Sequence, residues 1–397
     1  MSVSAVLSLA PFAGLLFIPP FPSTVALRLL CLAAAFAIAM FSWRRLAVPT
    51  LPAKPALLVW AAVAFASLVF AVDPAYSLGE IKNEVGYAMM AFVAFFAITG
   101  TVRELRLWSR VVVAAAAVIS LWAVAAGFKP GAWIDGGAYG GVGTFASLAV
   151  VAAPLLLLAW GGLSARGRTA LAVSAVVILA ASVFSQQRIL WAAFAIELVA
   201  AMVLLRSAGF LKISRVALAA SIVGSVALAG AALMFVHAQK TELSTPEIQV
   251  LEKDFRLAHW QRVLARIQEH PVTGAGFGRE TMKKAYPDLV PKTSPESLLW
   301  HPHNVFLTYG IAMGWPGMLA LLAVFAALLR AYWKHLDAED TDHRLAAIAG
   351  VALVLGVVTR NLTNDFFVRD GALMFWALNG ALLGYLGRSA ATMRGAA

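Results

Sequence analysis

The residues of this chain best equipped for chemistry are arginines and histidines standing where an apolar sequence has no structural need of them. Arg188 closes the short tract Ser185-Gln186-Gln187-Arg188 between two long apolar runs and is followed at once by Ile189, Leu190 and Trp191. Arg360 and Arg369 bracket a second brief polar break, Asn361-Leu362-Thr363-Asn364-Asp365, in which Asp365 can pair with either arginine. Arg256, Arg262 and Arg266 recur along a polar segment between the two. A guanidinium is a planar fork of donors that stays protonated, so a group of them suits phosphate. Plainer readings stand beside this one: Arg188 can snorkel to lipid headgroups, and Arg360 or Arg369 can form a structural ion pair.

The second candidate is His301-Pro302-His303-Asn304, where the polar segment meets an apolar run. Pro302 suits the first turn of a helix, and a histidine at a helix N-terminus is biased towards neutral imidazole by the positive end of the dipole. Neutral imidazole is the form a general base requires. The alternative is an interfacial histidine that only caps the helix. A zinc site is not expected, because two histidines two apart on a helix diverge and no Cys or HExxH partner completes a ligand set. Gly274, Gly276 and Gly278 follow no strand and precede no Lys-Ser/Thr pair, which argues against a nucleotide-phosphate loop. Asp288 and Glu296 are scattered, unlike the paired carboxylates of a glycosidase. The single cysteine, Cys31, lies in an apolar run, so no disulfide framework is available.

The elements that position these residues follow from composition. Of 397 residues, 61% are hydrophobic and 13% charged, against about 25% charged in soluble domains. Such a chain takes a bilayer as solvent, which predicts an all-α polytopic membrane protein. About a dozen apolar runs can cross roughly 30 Å of hydrocarbon. They fall near residues 5–19, 24–42, 55–72, 85–101, 108–127, 143–161, 169–186, 189–206, 213–236, 303–331, 343–360 and 366–387. The first has no Lys or Arg before Arg28, a poor match to a cleaved signal peptide, and reads as a span. Arg44, Arg45, Arg103, Arg106, Arg110, Arg166, Arg206, Arg330, Arg344 and Arg388 flank every second connection or the C-terminus, which marks that side as cytoplasmic. The net charge of +11 is thus topological; it forms no continuous stripe and no nucleic-acid partner is expected.

The expected organisation is one membrane domain: helices 1–9 over 1–236, a non-cytoplasmic loop over 237–302, and helices 10–12 over 303–397. Within the loop, Val250, Leu251, Phe255, Trp260, Val263, Leu264 and Ile267 recur at helical spacing, with Arg256, His259, Arg262 and Arg266 on much of the remaining surface. That pattern predicts an amphipathic helix near the membrane surface.

Three stretches resemble the O-antigen ligase superfamily, which also holds O-antigen polymerases and bacterial O-oligosaccharyltransferases. The first is Gln187-Arg188 and onward; the second runs from Arg256-Leu257-Ala258-His259-Trp260 to His270-Pro271-Val272-Thr273-Gly274-Ala275-Gly276. The third and most specific is His303-Asn304, nine residues, then Gly314-Trp315-Pro316-Gly317. It is similar to the ligase signature of His, then Asn, Ser or Gln, nine residues, Gly, two residues, and Gly, Thr or Tyr. The resemblance implies twelve spans, a large periplasmic loop and a site facing the periplasm from a Gram-negative inner membrane.

It also implies a GT-C-like glycosyltransferase. Such an enzyme moves O-antigen from an undecaprenyl-diphosphate donor to a sugar hydroxyl of the lipid A-core acceptor, with no cofactor. Carried over by position, His303 is the base and Arg188 and Arg256 engage the diphosphate. Arg262, Arg266, Arg360 and Arg369 have only the physical argument as substrate ligands. His301, Asn304 and Trp260 border the motif, and Trp260 with Phe255 would lie over the carrier or acceptor lipid. A polymerase or an oligosaccharyltransferase of the same superfamily is the nearest alternative. A transporter or lipid flippase is further off, since transporters usually show repeated halves and the long loop breaks any such symmetry.

Overall fold

The computed structural model describes residues 3–21, 23–46, 48–125, 141–185, 187–243, 246–290, 300–363, 365, 367 and 369–394, with side chains excepted at 3–7, 124, 232–233, 235–255 and 389–394. Among them the chain is helical and without strands. The helices are α1 Val3–Phe17, α2 Val25–Ser42, α3 Lys54–Ala66, α4 Pro74–Glu80, α5 Tyr87–Ile98, α6 Val102–Ala125, α7 Gly141–Ala159 and α8 Ala165–Phe184. They continue as α9 Arg188–Ser207, α10 Arg215–Leu243, α11 Pro246–Glu269, the short α12 Thr281–Ala285, α13 Val305–Trp333, α14 Thr341–Arg360 and α15 Arg369–Arg394. Every apolar run in the sequence coincides with a helix.

By length and composition, eight helical stretches of the described residues can cross a membrane, and Ser8–Phe17, Lys54–Phe70 and Arg215–Ala231 are shorter apolar helices. The chain is therefore a multi-pass membrane protein, while the dozen spans remain an expectation. The run expected near 85–101 proves to be the end of a longer element. It starts at Pro74, N-capped by the Asp73 carboxylate, and passes through a π-helical turn, Ile81–Gly86, into α5. That turn carries Glu84 into the interior, where it is 5% exposed. A π turn inside a helix often marks a functional position.

Small residues bring the central helices together. On α15, a Cβ at Gly380 or Gly384 would collide with the carbonyl oxygens of Phe92 or Phe96 on α5, the close backbone approach that small-xxx-small spacing permits in membranes. Trp376 stacks on Trp60 at 5.4 Å between the ring centres and meets Phe92 edge-on at 5.9 Å. The amphipathic α11 is present, but protein covers its described apolar face. Val263 and Ile267 are buried against Met282, Leu289 and Ile311, because the chain after α11 folds back across α13. Val250, Leu251 and Phe255 lie outside the described side chains.

Candidate functional site

The site is built on a break in α13. Gly314 takes φ 67° within the helix, and Pro316 follows it. Such a φ disfavours any residue with a Cβ, and proline has no N–H to return to the Ala312 carbonyl. The polar groups freed by the break are bonded by the chain after α11. Trp315 N–H donates to the Pro271 carbonyl at 2.7 Å, Ala275 N–H to those of Ile311 and Ala312 at 3.1 Å, and Gly276 N–H to Ala312 at 2.9 Å. A Cβ on Gly274 or Gly314 would collide with this junction. The glycines of the second and third sequence stretches therefore lock one backbone onto the other. They fix the loop that ends at Gly278-Arg279.

His303 stands just outside the same helix. The expected first turn at Pro302 is corrected: α13 begins at Val305, and Asn304 is its N-cap, accepting from Phe306 N–H at 2.9 Å and Leu307 N–H at 3.1 Å. Asn304 also donates through Nδ2 to the Leu362 carbonyl at 2.8 Å, so both ends of its amide are engaged by the protein. His303 has φ 52°, a strained conformation for a residue with a Cβ. Being off the helix, the two histidines do not diverge: their rings lie 3.8 Å apart, centre to centre, with 36° between the planes.

His301 is 1% exposed and touches two donors. Arg279 Nη2 lies 2.6 Å from its Nε2, and the His303 N–H points at its Nδ1 from 3.1 Å. Neither neighbour can accept, so a doubly protonated ring has no partner there. Burial first, and then the charges of His303, Arg279, His259 and Arg256, push its pKa far below the ordinary histidine value. His259, read from the sequence as part of the polar surface of α11, is fully buried. Burial, then Arg262 and His303, pull it down to about 4. Trp260 donates its indole N–H to the Pro302 carbonyl at 2.7 Å, tying α11 to the histidine loop.

The arginines divide. Arg256 is near enough to His301 and Arg360 for its charge to bear on both. Arg360, 1% exposed, donates to the Gly143 carbonyl at 3.4 Å. Arg188 opens α9, with its Nε enclosed. α9 and α14 pack antiparallel, with Glu197 against Gly356. At 1.5 Å per residue from that contact, Arg188 and Arg360 lie about 13 Å and 6 Å towards the same end of the bundle. Arg262 is exposed on α11, one turn from His259.

Two of the expected substrate arginines have other engagements. Arg266 bridges Glu269 and Asp288, each at 2.7 Å, and lies over the Tyr286 ring; it staples α11 to the returning chain. Arg369 faces Glu80 at 3.9 Å. The proposed pairing of Asp365 with Arg360 or Arg369 is replaced by a different one. Asp365, 1% exposed, faces Thr308 and Arg279, and burial raises its carboxyl against the pull of both.

Arg279 escaped the sequence reading, yet it touches His301, lies 4.9 Å over the Trp300 ring and feels Glu84 and Asp365. Its signal in the sequence is its place directly after Gly274, Gly276 and Gly278. Beside it opens a cavity of about 240 Å³ lined by Arg279, Arg369, Asp370, Thr144, Ser147 and apolar residues including Pro19, Pro20 and Leu148. Arg28 pairs with the Asp370 carboxylate on that wall.

Fold and site define a polytopic helical membrane protein with a basic, histidine-bearing centre at one end of its bundle. Residues 137–322 match the family model described as O-Antigen ligase. The match spans a little under half of the chain and makes this region similar to the O-antigen ligase family. The matched region contains Arg188, Arg256, Arg279, His301 and His303 and ends before Arg360 and Arg369. No curated protein matches the chain.

Proposed function

We propose that this protein is an O-antigen ligase. It transfers polymeric O-antigen from undecaprenyl diphosphate to a sugar hydroxyl of lipid A-core, at the periplasmic face of a Gram-negative inner membrane. The observation that carries the reading is the close, tilted His301–His303 pair with Arg256 and Arg279 about it. An imidazole fit to take a proton thus stands among cations fit to receive a diphosphate. His303 removes the proton from the acceptor hydroxyl as its oxygen attacks the anomeric carbon. The bond to the diphosphate breaks on the opposite face, and Arg188 and Arg256 stabilise the charge that develops on the leaving group. A single displacement inverts the anomeric configuration; retention in the product would exclude it.

The test replaces His303 and, separately, Arg188 with Ala and examines lipopolysaccharide. Lipid-linked polymer accumulating beside bare core supports ligation. Loss of the polymer itself would point to a polymerase, and normally capped lipopolysaccharide in both variants would remove the site assignment.

A further inference from the structure

Arg279 also borders a second and much smaller void, of about 10 Å³, whose lining includes Glu84, Phe277, Thr308, Tyr309 and Asp365. That is room for one water-sized particle. Three elements meet there. The π turn Ile81–Gly86 brings Glu84, the start of α13 brings Thr308, and the connection between α14 and α15 brings Asp365. All three side chains are buried, with Glu84 and Thr308 each 5% exposed and Asp365 1%. Glu84 Oε1, Thr308 Oγ and Asp365 Oδ2 have no hydrogen-bond partner among the described residues. Thr308 faces Asp365 without closing a bond to it. A buried oxygen left unanswered is costly, and three that line one void are answered together by an occupant of it.

The charges say which occupant. Glu80 adds a carboxylate beside Glu84 and is faced by Arg369 at 3.9 Å, while the charge of Arg279 bears on both Glu84 and Asp365. Three ionised carboxylates against two guanidiniums leave one negative charge over. Carboxylate and hydroxyl oxygens are hard ligands that suit a hard cation. Mg²⁺ keeps several of its waters and Ca²⁺ takes six to eight oxygens, more than a void of this size holds. The lining also includes Ala312 and Met313 beside the break in α13, and interrupted helices coordinate monovalent ions in other membrane folds.

We propose that this void is a site for one monovalent cation, held by Glu84 Oε1, Asp365 Oδ2 and the Thr308 hydroxyl oxygen. The ion is structural and takes no part in group transfer. It joins the π turn, the head of α13 and the α14–α15 connection beside Arg279, and so steadies the ground on which the contact with His301 rests. The assignment is independent of which residue is the base.

The test follows the melting temperature of the full-length protein in nanodiscs while sodium or potassium replaces choline at constant ionic strength, with magnesium and calcium run beside them. The wild type is expected to gain stability saturably with sodium or potassium. Glu84→Gln and Asp365→Asn each remove a charged ligand and should raise the half-saturating concentration about tenfold or more. Thr308→Val removes a neutral oxygen and should raise it less.

A wild type equally stable in choline overturns the proposal. So does stabilisation by magnesium or calcium alone, and so does a melting temperature that follows pH but not sodium or potassium, which would make the occupant a proton. An unchanged half-saturating concentration in Glu84→Gln and Asp365→Asn would place the ion elsewhere and overturns it too. Should those two variants not fold, Thr308→Val decides, and an unmoved half-saturating concentration there has the same consequence.

Discussion

The two ends of the helical bundle use the same guanidinium group in opposite ways. At the end that carries the basic connections, arginines bond to carbonyls at or just beyond helix C-termini. Arg110 donates to Ala159 at 3.1 Å and Gly161 at 2.5 Å, Arg344 to Ala208 at 2.7 Å, and Arg388 to Ala97. Arg106 adds an ion pair with Asp342 at 2.8 Å. Those carbonyls have no intrahelical donor, and the helix dipole favours a cation there. At the other end the charge of Arg256 bears on Arg360, and Arg279 lies against the His301 imidazole. Like charges gathered in a half-buried site oppose folding unless an anion answers them. The first arrangement ties helix ends together; the second gathers cations beside the histidine pair.

Removing the base should have the largest effect: His303→Ala is expected to lower transfer about 10²- to 10⁴-fold in a reconstituted assay with lipid-linked donor, leaving the thermal transition near wild type. Arg256→Ala should cost about 10²-fold, with Arg256→Lys recovering only part because a point charge does not replace the fork. Full activity in the alanine variant would dissolve the contrast between the two ends.

Gly314→Ala acts through the scaffold. It places a Cβ against the Pro271 carbonyl at φ 67°, so a loss of about 1–3 kcal/mol, with a lowered melting temperature and reduced transfer, is expected. Arg110→Ala sharpens the comparison from the structural end. Two charge-assisted bonds to carbonyls disappear, and stability should fall by about 1–3 kcal/mol while turnover per folded molecule is unchanged.

The smallest effect concerns pH. His259 is held at about 4 when folded, against 6.5 ordinarily, and His301 is displaced in the same direction. Between those values the unfolded chain binds more protons, so stability rises with pH. It is fully present above about 6.5 and declines as pH falls towards 4. A melting temperature that drops across this window, less so in His259→Asn, is the expected result.

Much was legible in the sequence because bilayer chemistry leaves few choices. Apolar runs had to be helices, and every run became one. Charges flanking apolar segments had to mark ends, and Arg188, Arg256, Arg360 and His303 were recognisable as cations and a histidine out of place. Periodicity also placed α11. It did not reveal what covers that helix, since an apolar stripe suits lipid and protein equally well.

What the sequence alone determined, then, is the helical membrane-spanning body and the identity of the exposed chemistry, both consequences of local composition and hydrogen-bond satisfaction. Only the tertiary structure decided that Asn304 donates to the Leu362 carbonyl, that Arg266 serves as a staple, that His259 is buried, and that Arg279 touches His301. Each of these depends on which distant carbonyl, carboxylate or ring arrives beside the residue. That was set by the break at Gly314, where two backbones satisfy each other across a long stretch of sequence.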